Sequence, residues 1–258
     1  MLTAGRTSMR EARAVAALGA EHRSSGRVVF ALARAEAKAT LRHPLFLGAG
    51  GLCALLAARA TGRGDAVLLL LFGVAIGAGI GGFLSGNEAA RRARRDRMGE
   101  LFATLPSPRE ARTIAVLLGT FAGPMVLSVV VAEIGVAIAE TRSPNDPGVG
   151  LGLGLQIPLV CAAFCAFAVA LGRWIPSGLT APVVLVAQVT TGLIWGLPWI
   201  VTPGPDGWGV GWHVAYLASF IVFASTAGLF RDRRTLVRAA VTAAGLGGVV
   251  ISAILQAP

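Results

Sequence analysis

Lysine is all but missing from this chain: among 258 residues Lys38 is the only one, and every other basic residue is arginine. A phosphate-cradling loop of the Gly-x-x-x-x-Gly-Lys-Ser/Thr type needs its glycines and its lysine together. No such segment occurs, so the chain has no device of that kind for hydrolysing ATP. Charge of either sign is scarce, at 14% of residues, about half of what a soluble domain carries. Cys53, Cys161 and Cys165 all lie in apolar runs without a His or second thiol pair at metal spacing, which argues against a disulfide framework and against a zinc site. Histidine is limited to His22, His43 and His213. Ser177, in IPSG, is the most motif-like serine, and on the topology below it sits at the opposite membrane face from His213, too far for a Ser-His site.

What is present is apolar. Hydrophobic residues make up 55% of the chain and the mean hydropathy is +0.71, the composition of an all-α integral membrane protein. The first apolar run starts only after a polar stretch reaching residue 43, too late for a cleaved signal peptide. Runs long enough to cross a bilayer fall at 44–60, 66–86, 111–139, 149–172, 178–200, 211–230 and 237–256. The first is short and ends at Arg59. The third carries Gly123-Pro124, a kink or tilt signal. Trp195, Trp199, Trp208 and Trp212 cluster around one loop, as in an interfacial aromatic belt. The expectation is a polytopic helical bundle of six to seven spans.

With the N-terminus in the cytoplasm, 20 of the 23 basic residues fall inside and only Arg59, Arg63 and Arg142 outside. The positive-inside rule therefore predicts N-in and, for seven spans, C-out. Residues 1–26 read as a polar, largely unstructured cytosolic tail in which Ser8 and Glu11 have the spacing to cap one short helix. Residues 27–43 read as an amphipathic helix. Arg27, Arg34, Lys38 and Arg42 repeat on one side, Val29, Leu32 and Thr40 fall on the other, and Pro44 stops it. That pattern suits a helix lying in the membrane interface, with lipid as its partner.

The densest charge is the loop 87–110, within NEAARRARRDRMGELFATLPSPREAR. Arg91 and Arg95 belong to its arginine cluster, but Glu88, Asp96, Glu100 and Glu110 are interleaved, Phe102 is its one aromatic, and no nucleic-acid motif is present; no nucleic-acid partner is expected. Met98, Leu101, Phe102 and Leu105 recur at helical spacing on one face. Pro106 ends that helix; Ser107, Pro108 and Glu110 then form a capping box that starts the next. A short amphipathic helix fixed to two spans suits a groove on a soluble partner.

Here the chain resembles the permease subunits of ATP-binding cassette exporters of the type-2 (drug, polysaccharide and haem export) class. The resemblance rests on the amphipathic helix leading through RHP (42–44) into the first span, on Glu88 at the end of the second, and on GELFATLPSPREAR (99–112) entering the third. It covers residues 27 to 140. It implies that 87–110 is a coupling helix on which a separate ATPase subunit docks, through Glu88, Arg91, Arg95, Met98, Glu100, Leu101, Phe102, Leu105 and Pro106. It further implies a second permease chain, ATP and Mg2+ held by the ATPase subunit and none by this chain, no enzyme activity of its own, export of a hydrophobic or amphipathic substrate, and a multi-pass place in a bacterial inner membrane. The family has six spans with both termini inside, one fewer than counted above. The alternative reading is a non-transporting membrane scaffold that recruits a soluble protein through the same loop.

Inside the spans polar groups are few. Glu133, Gln156 and Gln188 are the candidates for a translocation path, each with a second account as a helix-packing or interfacial group. Gly73, Gly77 and Gly81, continued by Gly82 and Gly86, form a small-residue stripe that permits close helix contact, within one subunit or between two. Cys161 and Cys165 share a face and read as small packing residues.

Overall fold

The computed structural model describes residues 26–48, 51, 55, 66–95, 109–142, 151–175, 177–195 and 207–256. The polar tail, most of the expected first span at 44–60 and the segment 96–108 lie outside the described residues. Regular structure among the described residues is entirely helical.

α1 occupies 26–41, where alanine at 31, 33, 35, 37 and 39 makes helix the favoured state. A new helix starts at Pro44. His43 sets it up: its Nδ1 accepts from the Leu45 N–H at 3.3 Å, and proline, lacking an N–H, fits the first position without loss. Then follow α2 (Ala66–Arg95), α3 (Arg109–Arg142), α4 (Leu151–Trp174), α5 (Thr180–Trp195), α6 (Gly207–Asp232) and α7 (Leu236–Gln256).

α2 does not stop where its apolar run ends at residue 86. It continues through NEAARRARR to Arg95, because Ala, Arg and Glu are strong helix formers whatever the solvent. α3 passes Pro124 unbroken, and α4 likewise contains Pro158. Four described segments are long and apolar enough to cross a membrane: Arg109–Val130, Leu155–Trp174, Gly211–Asp232 and Leu236–Leu255. This is consistent with a membrane protein. α5, with 16 residues, reaches about 24 Å at 1.5 Å per residue, short of a hydrocarbon core of about 30 Å.

α4 is the centre of the bundle, flanked by α2, α3 and α6. Cys161, Cys165, Ala166, Ala168 and Val169 on it are completely enclosed. Small residues allow this. A Cβ on Gly82 would stand 2.7 Å from the Cys165 sulfur and 3.3 Å from Pro124, and one on Gly79 would stand 2.9 Å from the Phe164 ring. Gly81 faces Phe46, whose Cα would lie 2.9 Å from an added Cβ. The close contacts of Gly81, Gly82 and Gly86 are thus made within the subunit. Between those seams the rings of Phe83 and Phe164 meet edge-on at 5.9 Å, and Phe167 meets Phe220 at 5.5 Å. In a lipid solvent such interdigitation, rather than escape from water, is what holds helices together.

The contact pairs fix direction. Gly82 meets Cys165, Gly86 meets Ala168 and Gly172 meets Ala90, so α2 and α4 run the same way; Gly82 with Pro124 and Gly86 with Thr120 make α3 antiparallel to α2. α7 folds back along α6 after a three-residue corner at 233–235, with Gly245 against the Phe223 backbone and Gly248 against Ser219. The C-termini of α2, α4 and α6 and the N-termini of α3, α5 and α7 therefore share one end, and among the described residues of these helices that end carries every arginine but Arg142.

α1 lies against α3. A Cβ on Gly119 would come 2.6 Å from the Ala33 carbonyl oxygen, and one on Gly123 would come 2.8 Å from the Leu41 side chain. Ala33 and Thr40 are buried, Val29, Leu32, Glu36 and Ala37 are half-buried, and Arg27, Arg34, Lys38 and Arg42 are exposed. The two faces are those the sequence predicts, but the apolar one is docked on protein, so it is not the side offered to lipid.

Candidate functional site

Segment 96–108, with Met98, Glu100, Leu101, Phe102, Leu105 and Pro106, lies outside the described residues, and of Arg95 only the backbone is described. What the structure places is the pair of helix ends on either side of it, and both are tied down.

On the α2 side, buried Asn87 donates from Nδ2 to the Ala168 carbonyl of α4 at 3.2 Å. Glu88 and Arg91 pair along the helix at 3.7 Å. The Arg91 guanidinium also lies beside the α4–α5 corner, where a Cβ on Gly178 would stand 3.3 Å from it. Arg92 reaches Glu36 of α1 at 3.2 Å. The last turns of α2 are thus bonded to α4 and α1.

On the α3 side, Glu110 receives Arg238 Nη2 at 2.5 Å and Arg233 Nη1 at 3.8 Å. Thr113 donates its hydroxyl to Asp232. All three partners lie at or beside the α6–α7 corner. The other arm of Arg238 donates to the carbonyls of Leu229 at 3.1 Å and Arg233 at 3.4 Å, so one guanidinium caps the C-terminus of α6, where a cation complements the helix dipole. Its own N–H is held by the Thr235 hydroxyl at 3.3 Å, the N-cap of α7. Nearby, Trp174 donates to the Ala227 carbonyl at 3.0 Å, and the Arg231 guanidinium stacks 5.3 Å from the Trp174 ring.

Sequence spacing assigned Glu110 to a local capping box. Its role as the hub between α3 and a corner more than a hundred residues away was not readable, because nothing in spacing says which distant arginine returns. Glu36, Arg92, Arg238 and Asp232 were missed for the same reason. Gly119 and Gly123 did carry a signal, a small-xxx-small pair, overshadowed by the proline beside it.

Of the three candidate path residues, Gln188 alone lines the described cavity, a space of about 20 Å³ shared with Val160, Ala163, Phe164, Phe167, Tyr216, Leu217 and Phe220. That is room for one water molecule. Gln156 is buried in α4 and Glu133 is exposed on α3, and neither lines this cavity. His213 is buried and stacked on Tyr216 at 6.1 Å. Ser177 belongs to the α4–α5 corner. His213 stands 18 residues before Arg231, about 27 Å from the charged end along α6.

No protein-family model matches the chain, and no curated protein matches it.

Proposed function

We propose that this chain is the membrane-spanning permease subunit of an ATP-driven transporter, with the charged end in the cytoplasm and segment 87–110 as the docking element for a separate ATPase subunit. One observation carries the reading: the chain leaves the bundle on a helix that outruns its apolar part by more than two turns, and re-enters on a helix whose first turn is pinned to another corner. A segment held between two such ends transmits a push instead of absorbing it, which is what coupling to a motor requires. The distribution of arginine supports the orientation.

In this reading residues 44–60 and α5, completed by residues 196–200, join α2, α3, α4, α6 and α7 as seven spans, N-in and C-out, in a bacterial inner membrane. The ATPase subunit holds ATP and Mg2+, and a second permease chain completes the path. A hydrophobic or amphipathic substrate fits walls that offer aromatic rings and few polar groups.

The test is Leu101→Asp with Phe102→Asp. Purified in mild detergent from its native membranes, the wild-type chain brings an ATPase subunit with it. The double variant inserts normally and loses that subunit. An ATPase recovered undiminished with the variant refutes the docking assignment, and a co-purifying partner without ATPase activity supports the scaffold reading instead.

A further inference from the structure

Among the described residues nothing bonds to the outward face of α1. Arg27, Arg34 and Lys38 project from it, exposed. Phe30 stands between Arg27 and Arg34 on the same side and is 71% exposed. The only acid on α1, Glu36, points the other way into its pair with Arg92. Among the described residues the face therefore carries only cations, with an aromatic ring between them.

Its depth says what lies opposite. α1 touches α3 at Gly119 and Gly123, whereas the uninterrupted apolar part of the 111–139 run begins at Ile114, after Arg112. At 1.5 Å per residue those contacts lie about 7 and 13 Å beyond that start. The first falls within the roughly 5–10 Å at which a helix lies embedded at the headgroup–acyl boundary, and the second a few ångströms deeper. With its apolar side on α3, α1 turns its basic side to the bilayer at a depth where arginine and lysine stems reach outward to phosphate and a phenyl ring stays among acyl chains.

We propose that the outward face of α1 binds anionic phospholipid, with Arg27, Arg34 and Lys38 holding the headgroup phosphates and Phe30 anchoring the acyl chains. The proposal rests on the membrane placement above and is independent of the ATPase assignment. Because Glu36 and Arg92 join α1 to the end of α2, a lipid held there also steadies one flank of the docking segment.

The test uses the full-length chain, extracted from membranes after a carbonate wash and purified in dodecyl maltoside. Phosphatidylglycerol and phosphatidylcholine are titrated separately, and bound lipids are counted by native mass spectrometry. The wild-type chain takes up phosphatidylglycerol at least tenfold more tightly. Each base near an anionic surface is worth roughly fivefold in affinity, so Arg27→Gln, Arg34→Gln and Lys38→Gln together erase the preference, about a hundredfold. Phe30→Ala weakens both lipids alike and leaves their ratio unchanged. Arg234→Gln, an exposed base at the α6–α7 corner, changes neither. A triple variant with the wild-type ratio overturns the proposal, as does an equal loss in Arg234→Gln. So does a wild-type chain that is indifferent to the headgroup while α1 is shielded from arginine-modifying reagents by a bound soluble subunit. A chain released into the carbonate supernatant overturns the membrane placement along with it.

Discussion

Replacing Arg238 with Met keeps the apolar stem but removes a guanidinium that serves three acceptors: Glu110, the Leu229 carbonyl and the Arg233 carbonyl. The side chains of Arg238 and Glu110 are 23% and 25% exposed. Their pair therefore falls between an exposed ion pair, worth at most about 1 kcal/mol, and a fully buried one, whose rupture costs about 3–5 kcal/mol. About 2 kcal/mol is a fair value for it, and the two long carbonyl bonds at the helix end add about 1 kcal/mol together. Arg238→Met should thus cost about 3 kcal/mol. Arg233 is the internal control. It approaches the same carboxylate at 3.8 Å, but its side chain is 70% exposed, so Arg233→Met should cost less than about 0.5 kcal/mol. Equilibrium unfolding in mixed micelles, followed by tryptophan fluorescence, measures both. A double-mutant cycle of Arg238→Met with Glu110→Gln should return a coupling of about 1.5 kcal/mol. Equal losses for the two arginines, or a coupling under about 0.3 kcal/mol, would refute the view that Glu110 joins α3 to the α6–α7 corner.

Two further outcomes follow from the interior, beside the docking and lipid experiments above. Asn87→Ala removes the bond to the Ala168 carbonyl and should cost about 1 kcal/mol, the usual scale for a polar contact between helices in a membrane; a loss within error in the same unfolding assay rejects that bond as a link. Gly82→Ala drives a methyl into the Cys165 sulfur and should cost about 1–3 kcal/mol of overpacking. Cys165→Ala, which clears the space, should recover most of it in the double variant, and additive losses reject the contact.

Several features were legible in the sequence for physical reasons. The two faces of α1 were, since Arg27, Arg34 and Lys38 cannot share a side with Val29 and Thr40 on a helix, and only one side can be apolar. Periodicity is silent about which apolar medium that side meets, so lipid was expected where α3 stands. The clustering of arginine at one end of the bundle was legible because charged and apolar runs alternate along the chain. The continuation of α2 through Asn87 to Arg95 was not, since a change from apolar to charged residues marks the edge of the bilayer and says nothing about the edge of the helix. Of the candidate site, sequence identified Glu88, Arg91 and Glu110 as members of one charged region, while the partners of Glu110 depend on tertiary return of the chain. Glu133, Gln156 and Gln188 were grouped by polarity alone, which does not place residues in one space.

The docking of α1 on Gly119 and Gly123 also sets an order of assembly. α1 is synthesised first, yet the surface it rests on appears 86 residues later, counting from Ala33 to Gly119. At about 5–20 residues per second, the newborn helix waits roughly 4–17 seconds with its apolar side unclaimed. On the membrane placement proposed above, Val29, Leu32 and Thr40 would meet lipid before α3 displaces it, and Arg27, Arg34 and Lys38 would face the membrane only afterwards.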